Sequence, residues 1–210
     1  MLRMKVYNVS EHDRVSLLAS GTSNAVINMF LAVLNGAGLF PFDVQIAGVS
    51  SLADWLARER ISICFISGPL FRAFYESLSR KESFPDLRAL RLTSETIYKT
   101  DVDIYKKAFS PTCVLVCGFS SSESGPLRKY LINHNTKFAG NDVPVGFALA
   151  DKEVFLVDAN GNRVGVNEVG EVVVRSRYLS PGYWRRPDLT KAKFKADPKG
   201  SSSILLAIWD

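Results

Sequence analysis

From about residue 14 to 120, short apolar runs alternate with segments of helical period, the pattern of strands and helices in a mostly parallel α/β layer. RVSLLAS reads as a strand. The following SNAVINMFLAVLNGAG places Val26, Met29, Phe30, Val33 and Leu34 on one helical face, the face expected to be buried, and Asn35-Gly36 ends the helix. GLFPF is a short extended piece. Ser51 with Asp54 three residues on predicts an acidic capping box, opening a helix that buries Leu52, Trp55 and Leu56. ISICFIS is apolar at nearly every position, as a strand covered on both faces must be. Beyond Gly68-Pro69 a helix is expected to bury Leu70, Phe74 and Leu78. LRALRLTSE then reads as strand and turn, KTDVDIYKKAF as a helix capped by Thr100, and TCVLVCGF as another strand.

After about residue 125 the helical period fades and turns dominate. VPVGFAL, EVFLVDANGNRVG with its Asn160-Gly161 hairpin signal, and GEVVVRS predict a small antiparallel β module. The expected organisation is an α/β, Rossmann-like subdomain over 1–125, a β-rich subdomain over 126–198 and an aberrant tail over 199–210.

Composition narrows the class. A chain of 210 residues, 47% hydrophobic and 22% charged, can bury a sizeable core in one large domain or two small ones. No window approaches the roughly 18 uninterrupted apolar residues of a membrane span, and the N-terminus lacks an apolar signal core, so a cytoplasmic protein is expected. Cys64, Cys113 and Cys117 all lie in apolar runs, which suits reduced core thiols and offers no metal set. The balance of 26 Lys+Arg against 21 Asp+Glu is basic, densest in WRRPDLTKAKFKADPK. Without the aromatic-basic interleaving of a single-strand binder, that density suits a solvated face or a small polyanion better than nucleic acid.

Two segments carry candidate chemistry. VCGFSSSESG is a hydroxyl-rich stretch expected to be a loop leaving the C-terminal end of a buried strand, the edge where open α/β sheets bind ligands. Serine hydroxyls and turn amides there can hold phosphate oxygens, Phe119 can lie against a base, and Glu123 can hold magnesium already bridged to phosphates. Farther on, a Pro-Gly turn, a strand, an Asn-Gly hairpin, a GEVVV strand and a GYW-x-RP turn follow in order.

Together these segments resemble the adenylate-forming enzymes: acyl-CoA synthetases, fatty-acyl-AMP ligases and the adenylation domains of nonribosomal peptide synthetases. CGFSSSE is similar to the family's N-x-Y-G-P-T-E loop. That places Phe119 at the aromatic, Ser122 at the phosphate-binding threonine and Glu123 at the magnesium glutamate; Cys117, Ser120 and Ser121 replace its Asn, Gly and Pro. Pro144-Val145-Gly146 resembles the P-I-G turn, and Gly170, Glu171, Gly182, Tyr183, Pro187, Thr190 and Phe194 resemble the G-E-L…G-Y…P…T…F pattern. Thr93, Ser94 and Glu95 sit where the family has a turn beside adenine and acyl group. The resemblance implies part of the large domain of such an enzyme, with ATP or AMP, magnesium and a carboxylic acid as ligands. It also implies coenzyme A or a carrier protein's phosphopantetheine as thiol acceptor. Amino-acid-activating members hold the substrate ammonium with an aspartate near the first helix start; here Ser23 and Asn24 stand instead, which favours an acid with an uncharged tail.

The resemblance also implies segments that these residues do not contain: a lysine-bearing phosphate loop and a lysine-bearing C-terminal domain. A Y-x-T-G-D-L-G segment is due where ILLAIWD stands. One allowed coding of that peptide, read one base earlier, spells Tyr-Ile-Thr-Gly-Asp-Leu-Gly, so a base lost or gained between Lys199 and Ile204 is one expectation and a genuine edge strand the other. A fragment inactive by itself is the leading reading. A non-catalytic module that binds a nucleotide, an acyl group or a protein is the alternative, and a basic nucleic-acid-binding domain a third.

Overall fold

The computed structural model of the chain describes residues 7–18, 23–93, 96–138, 140–196 and 203–206. They fall into two compact units, Met1–Cys117 with Tyr130–Pro144, and Gly118–Lys129 with Val145–Asp210.

In the first unit the chain runs β1 (Arg14–Leu17), α1 (Ser23–Val33), β2 (Gly38–Pro41) and α2 (Val44–Ala47), then a 3-10 turn at Val49–Ser51. It continues through α3 (Leu52–Arg58), β3 (Ile63–Ser67), α4 (Gly68–Ser77), β4 (Ala89–Thr93), α5 (Lys99–Ala108) and β5 (Val114–Ser121). The strands form a parallel sheet in the order β2-β1-β3-β4-β5. Both faces are covered, which explains the unbroken apolar runs. Along β3, Cys64 and Ile66 face a cluster with Trp55, Phe71, Phe74 and Tyr105, while Ile63 and Phe65 face a second one with Tyr7, Val15 and Leu31. The same alternation splits Leu115 and Cys117 from Val116 on β5. All three cysteines are buried, and burial foremost pushes their thiols up to about 12, so they stay protonated.

The helices depart from expectation in detail. On α1 the residues that meet the sheet cluster are Leu31 and Ala32. Val26 (51% exposed), Met29 (37%), Phe30 (51%), Val33 (60%) and Leu34 (62%) face outward instead. The segment is apolar on nearly every side, so its period reveals a stripe but not which stripe meets the sheet; the small Ala32 side permits close approach. Ser51 precedes α3 and the expected Leu52, Trp55 and Leu56 are buried, but its backbone is already helical (φ −82°, ψ −9°) and it makes no side-chain cap. A capping side chain needs extended geometry at that position, and the Ser51 hydroxyl donates to Ala47 O (2.9 Å) instead. Likewise Thr100 lies inside α5, whose cap residue is the extended Tyr98; the Asp101 carboxylate accepts from Tyr98 N–H at 2.9 Å.

A polar cluster ties the start of β1 to β4. The Asp13 side chain, 6% exposed, accepts from Arg88 Nε and Nη2 (both 2.8 Å), Ser62 Oγ (2.8 Å) and Ser10 N–H (2.9 Å). Burial pushes its carboxyl up, but the Arg88, Ser10 and Ser62 bonds outweigh that and bring it from 3.8 down to about 2. A depressed carboxyl stabilises the fold fully above 3.8, and that contribution is lost as pH falls through about 2. The expected size is about 2 kcal/mol. Urea unfolding of wild type and Asp13→Asn at about pH 5 and about pH 2 checks it: the gap between the two proteins shrinks by that amount at the acid end, and an unchanged gap refutes it.

From Gly118 on, β5 belongs to the second unit; it turns into β6 (Gly125–Ile132), whose Tyr130–Ile132 end belongs to the first unit and whose Arg128 and Lys129 pair antiparallel with β7 (Phe147–Ala148). Then come β8 (Glu153–Val157), β9 (Glu171–Ser176), α6 (Pro187–Lys193), β10 (Phe194–Ala196) and β11 (Ser203–Leu206). The last four strands form an antiparallel sheet ordered β10-β11-β9-β8. The turn after β8 closes as the Asn-Gly signal predicts: Asp158 accepts from the N–H groups of Asn160 (2.9 Å) and Asn162 (2.8 Å), and Gly161 takes φ 84°. Within the tail, Ser203–Leu206 is an interior strand with partners on both sides. Residues 199–202 and 207–210 lie outside the described ones. Among the described residues no helix is long and apolar enough to cross a membrane.

Candidate functional site

The expected loop at VCGFSSSESG is a hairpin. Phe119, Ser120 and Ser121 still belong to β5, a turn spans 122–124, and Gly125 with φ 65° begins the return strand. Gly118 lets the strands approach: a Cβ there would stand 2.6 Å from Arg128 O. The Ser121 and Ser124 hydroxyls meet across the turn at 2.7 Å. Serine hydroxyls bonding to one another and to nearby backbone favour turns over open loops, and that is the local reason the hydroxyl-rich stretch doubles back.

Glu123 and exposed Ser122 sit in this turn. Glu123 O accepts from Ser180 N–H at 2.7 Å, and its Oε1 accepts from the Tyr183 hydroxyl at 2.9 Å. Burial, then the carboxylate beside it, pushes the Tyr183 phenol above its ordinary value of 10, so it remains a donor at neutral pH. Gly182, Tyr183, Thr190 and Phe194 of the second motif serve this contact. Gly182 adopts φ 132° and leaves room that the Thr190 side chain fills. The Thr190 hydroxyl accepts from Tyr183 N–H and donates to Arg186 O, both at 2.9 Å. Phe194 meets the Tyr183 ring edge-on, centroids 5.6 Å apart. Gly170 permits the close pairing of β8 with β9, since a Cβ there would lie 2.6 Å from Val157 O. Arg128 holds the Gly146 carbonyl with Nε (2.8 Å) and Nη2 (2.5 Å).

Phe119 is half-buried and packs with Val154, Val172, Leu179 and Phe194 around Leu127 and Val174. Thr93 ends β4 in the first unit, its hydroxyl 3.4 Å from Ile66 O. Ser94 and Glu95 lie outside the described residues. Ser23 and Asn24 form the first turn of α1, and their side chains are likewise outside the description. Sequence reasoning did not pair Tyr183 with Glu123: sixty residues separate them, and Tyr183 stood out only as the Tyr of the G-E-L…G-Y…P…T…F pattern.

Magnesium commonly takes one or two protein carboxylates and fills its other positions with water and substrate phosphates. One carboxylate beside a hydroxyl-bearing turn fits that demand, and no group of three or more acidic, His or Cys side chains able to hold a metal by themselves occurs among the described residues.

The family profile described as AMP-binding enzyme matches residues 2–184. The chain belongs to the AMP-binding enzyme family. Gramicidin S synthase 1 of Brevibacillus brevis is 28% identical over 200 residues, covering 91% of this chain and 17% of that protein. Among solved structures, the crystal structure of CmiS6 superposes with a TM-score of 0.84 at 19% identity, covering 95% of this chain and 49% of that one. NpsA-ThdA, an artificially fused adenylation-PCP di-domain of a nonribosomal peptide synthetase from Klebsiella oxytoca, has a TM-score of 0.78 at 22% identity, covering 94% and 36%. At these identities the superpositions establish the fold, a mostly parallel α/β layer with an antiparallel β module. The chain spans less than a fifth of the length of gramicidin S synthase 1 and less than half of either structure.

Proposed function

We propose that this chain is the central part of an ATP-dependent, carboxylate-activating ligase, which joins an acid to AMP with release of pyrophosphate and passes the acyl group to a thiol. The observation that carries the reading is the Glu123–Tyr183 pair inside a family match of residues 2–184: the motif residues converge on one carboxylate at a hairpin tip. In the reaction two anions meet, so charge must be neutralised as the carboxylate attacks the α-phosphorus. In this reading Glu123 holds magnesium, which when bound neutralises phosphate charge; Ser122, with Ser120 and Ser121, offers hydroxyls to phosphate oxygens, and Phe119 lies against the base. Thr93, Ser94 and Glu95 border adenine and acyl group, and Ser23 and Asn24 line a pocket for an acid with an uncharged tail. The thiol belongs to a carrier protein's phosphopantetheine or to coenzyme A. The 210 residues by themselves are proposed not to turn over, and the shifted reading frame beyond Lys199 stays a proposal that sequencing of the DNA tests.

Calorimetric titration of the folded chain with magnesium-ATP and with a non-hydrolysable acyl-adenylate analogue tests the reading. Saturable binding of the analogue is expected. A folded sample that binds no adenylate overturns it and favours a module that docks a protein, while acid-dependent pyrophosphate exchange by the chain overturns the claim that it is inactive.

A further inference from the structure

The basic stretch that the adenylate reading leaves unused has a shape of its own. Between Tyr183 and Phe194 the chain lines a shallow cavity of about 400 Å³ that is largely open to solvent. Tyr183, Thr190 and Phe194 form part of its wall, and Arg185, Arg186 and Lys191 bring three cations to it. Among the described residues no acidic side chain lines it. Asp188, the one acid of this stretch, takes Arg186 from the side through Nε (3.0 Å) and Nη2 (2.7 Å), leaving the outer N–H donors of the guanidinium to other acceptors. Arg185 is held at φ 54°, a backbone conformation uncommon for residues other than glycine and asparagine, at the cavity's edge. The Tyr183 hydroxyl is committed to Glu123, and the Thr190 hydroxyl both accepts and donates within the chain. The donors that remain for a ligand are therefore cationic.

Like charges gathered around a concavity repel until an anion enters, and planar guanidinium donors match tetrahedral oxyanions. We infer that this cavity binds the phosphoryl group of an organic phosphate, the aromatic walls accommodating part of the attached body. The inference stands independently of adenylate formation. Two sources share the chemistry, a nucleotide polyphosphate and the phosphate of a pantetheine-bearing thiol.

Titration of the folded chain with inorganic pyrophosphate, with metal-free ATP and with coenzyme A decides it. All three are expected to bind saturably, and whichever organic phosphate loses more affinity when lining charges of the cavity are removed identifies the source. The double variant Arg185→Asn with Lys191→Gln removes two lining charges, asparagine being chosen because it tolerates φ > 0. It is expected to weaken pyrophosphate binding about tenfold or more, with unchanged affinity for the acyl-adenylate analogue. Lys193→Gln with Lys195→Gln removes the same charge from the same stretch outside the cavity and is expected to change binding less than about twofold. Absence of pyrophosphate binding, or equal loss in the two double variants, overturns the assignment.

Discussion

Replacing Asp101 with alanine will lower the unfolding free energy of the chain by about 3 kcal/mol. The Asp101 side chain is fully buried and receives Arg72 as a fork, Nε to Oδ1 at 2.7 Å and Nη2 to Oδ2 at 2.9 Å, while Oδ2 also accepts Tyr98 N–H. One carboxylate thus joins α4 to α5 and anchors the start of α5. Removing one partner of a buried pair costs about 3–5 kcal/mol because the other charge loses its compensation. The lower end applies here because Arg72 keeps 31% of its side-chain surface in water. Asp101→Asn keeps an acceptor for Tyr98 N–H and should lose less. Urea unfolding followed by circular dichroism measures both; a loss below about 1 kcal/mol for the alanine variant would show that the pair contributes no more than a surface ion pair.

The second large effect is functional, and its sign depends on the metal. Glu123→Gln preserves the shape and an acceptor for the Tyr183 hydroxyl but removes the charge. Loss of partners one bond farther from a metal already weakens metal binding about 10–100-fold, so loss of the carboxylate itself should weaken magnesium-ATP binding by at least about tenfold. In the proposed role, once the metal is chelated Glu123 would only repel the polyphosphate, so the variant should bind ATP as well as wild type or better. That reversal distinguishes a magnesium carboxylate from one that merely supports the hairpin, for which Glu123→Gln would change both affinities in parallel.

Much of the first unit is legible along the chain because a parallel sheet with two covered faces demands apolar residues at every strand position. ISICFIS and TCVLVCGF contain little else; β3 lies inside the first, and β5 begins in the second and runs on through Ser120 and Ser121. The Asn160-Gly161 turn is equally local, since its geometry needs only Gly161 and the Asp158 side chain. Helix caps were misread at Ser51 and Thr100 because side-chain identity indicates a capping residue only when its backbone is extended, and the preceding 3-10 turn and the extended Tyr98 set that backbone. The apolar residues of α1 announce an amphipathic helix, yet Phe30 and Leu34 face outward while Leu31 and Ala32 meet the sheet.

By itself the sequence determined the family, the alternation of strands and helices, and the turn to antiparallel β structure after about residue 125. Each is written in residues close together in the chain, where spacing and period suffice. Only the tertiary structure decided that VCGFSSSESG is a hairpin, that Tyr183 braces Glu123 across sixty residues, that Asp101 buries its charge against Arg72, and that the basic stretch after GYW surrounds a cavity. Those pairings depend on which elements pack side by side, and a hydrogen bond of 2.9 Å between distant residues leaves no period for a sequence to display.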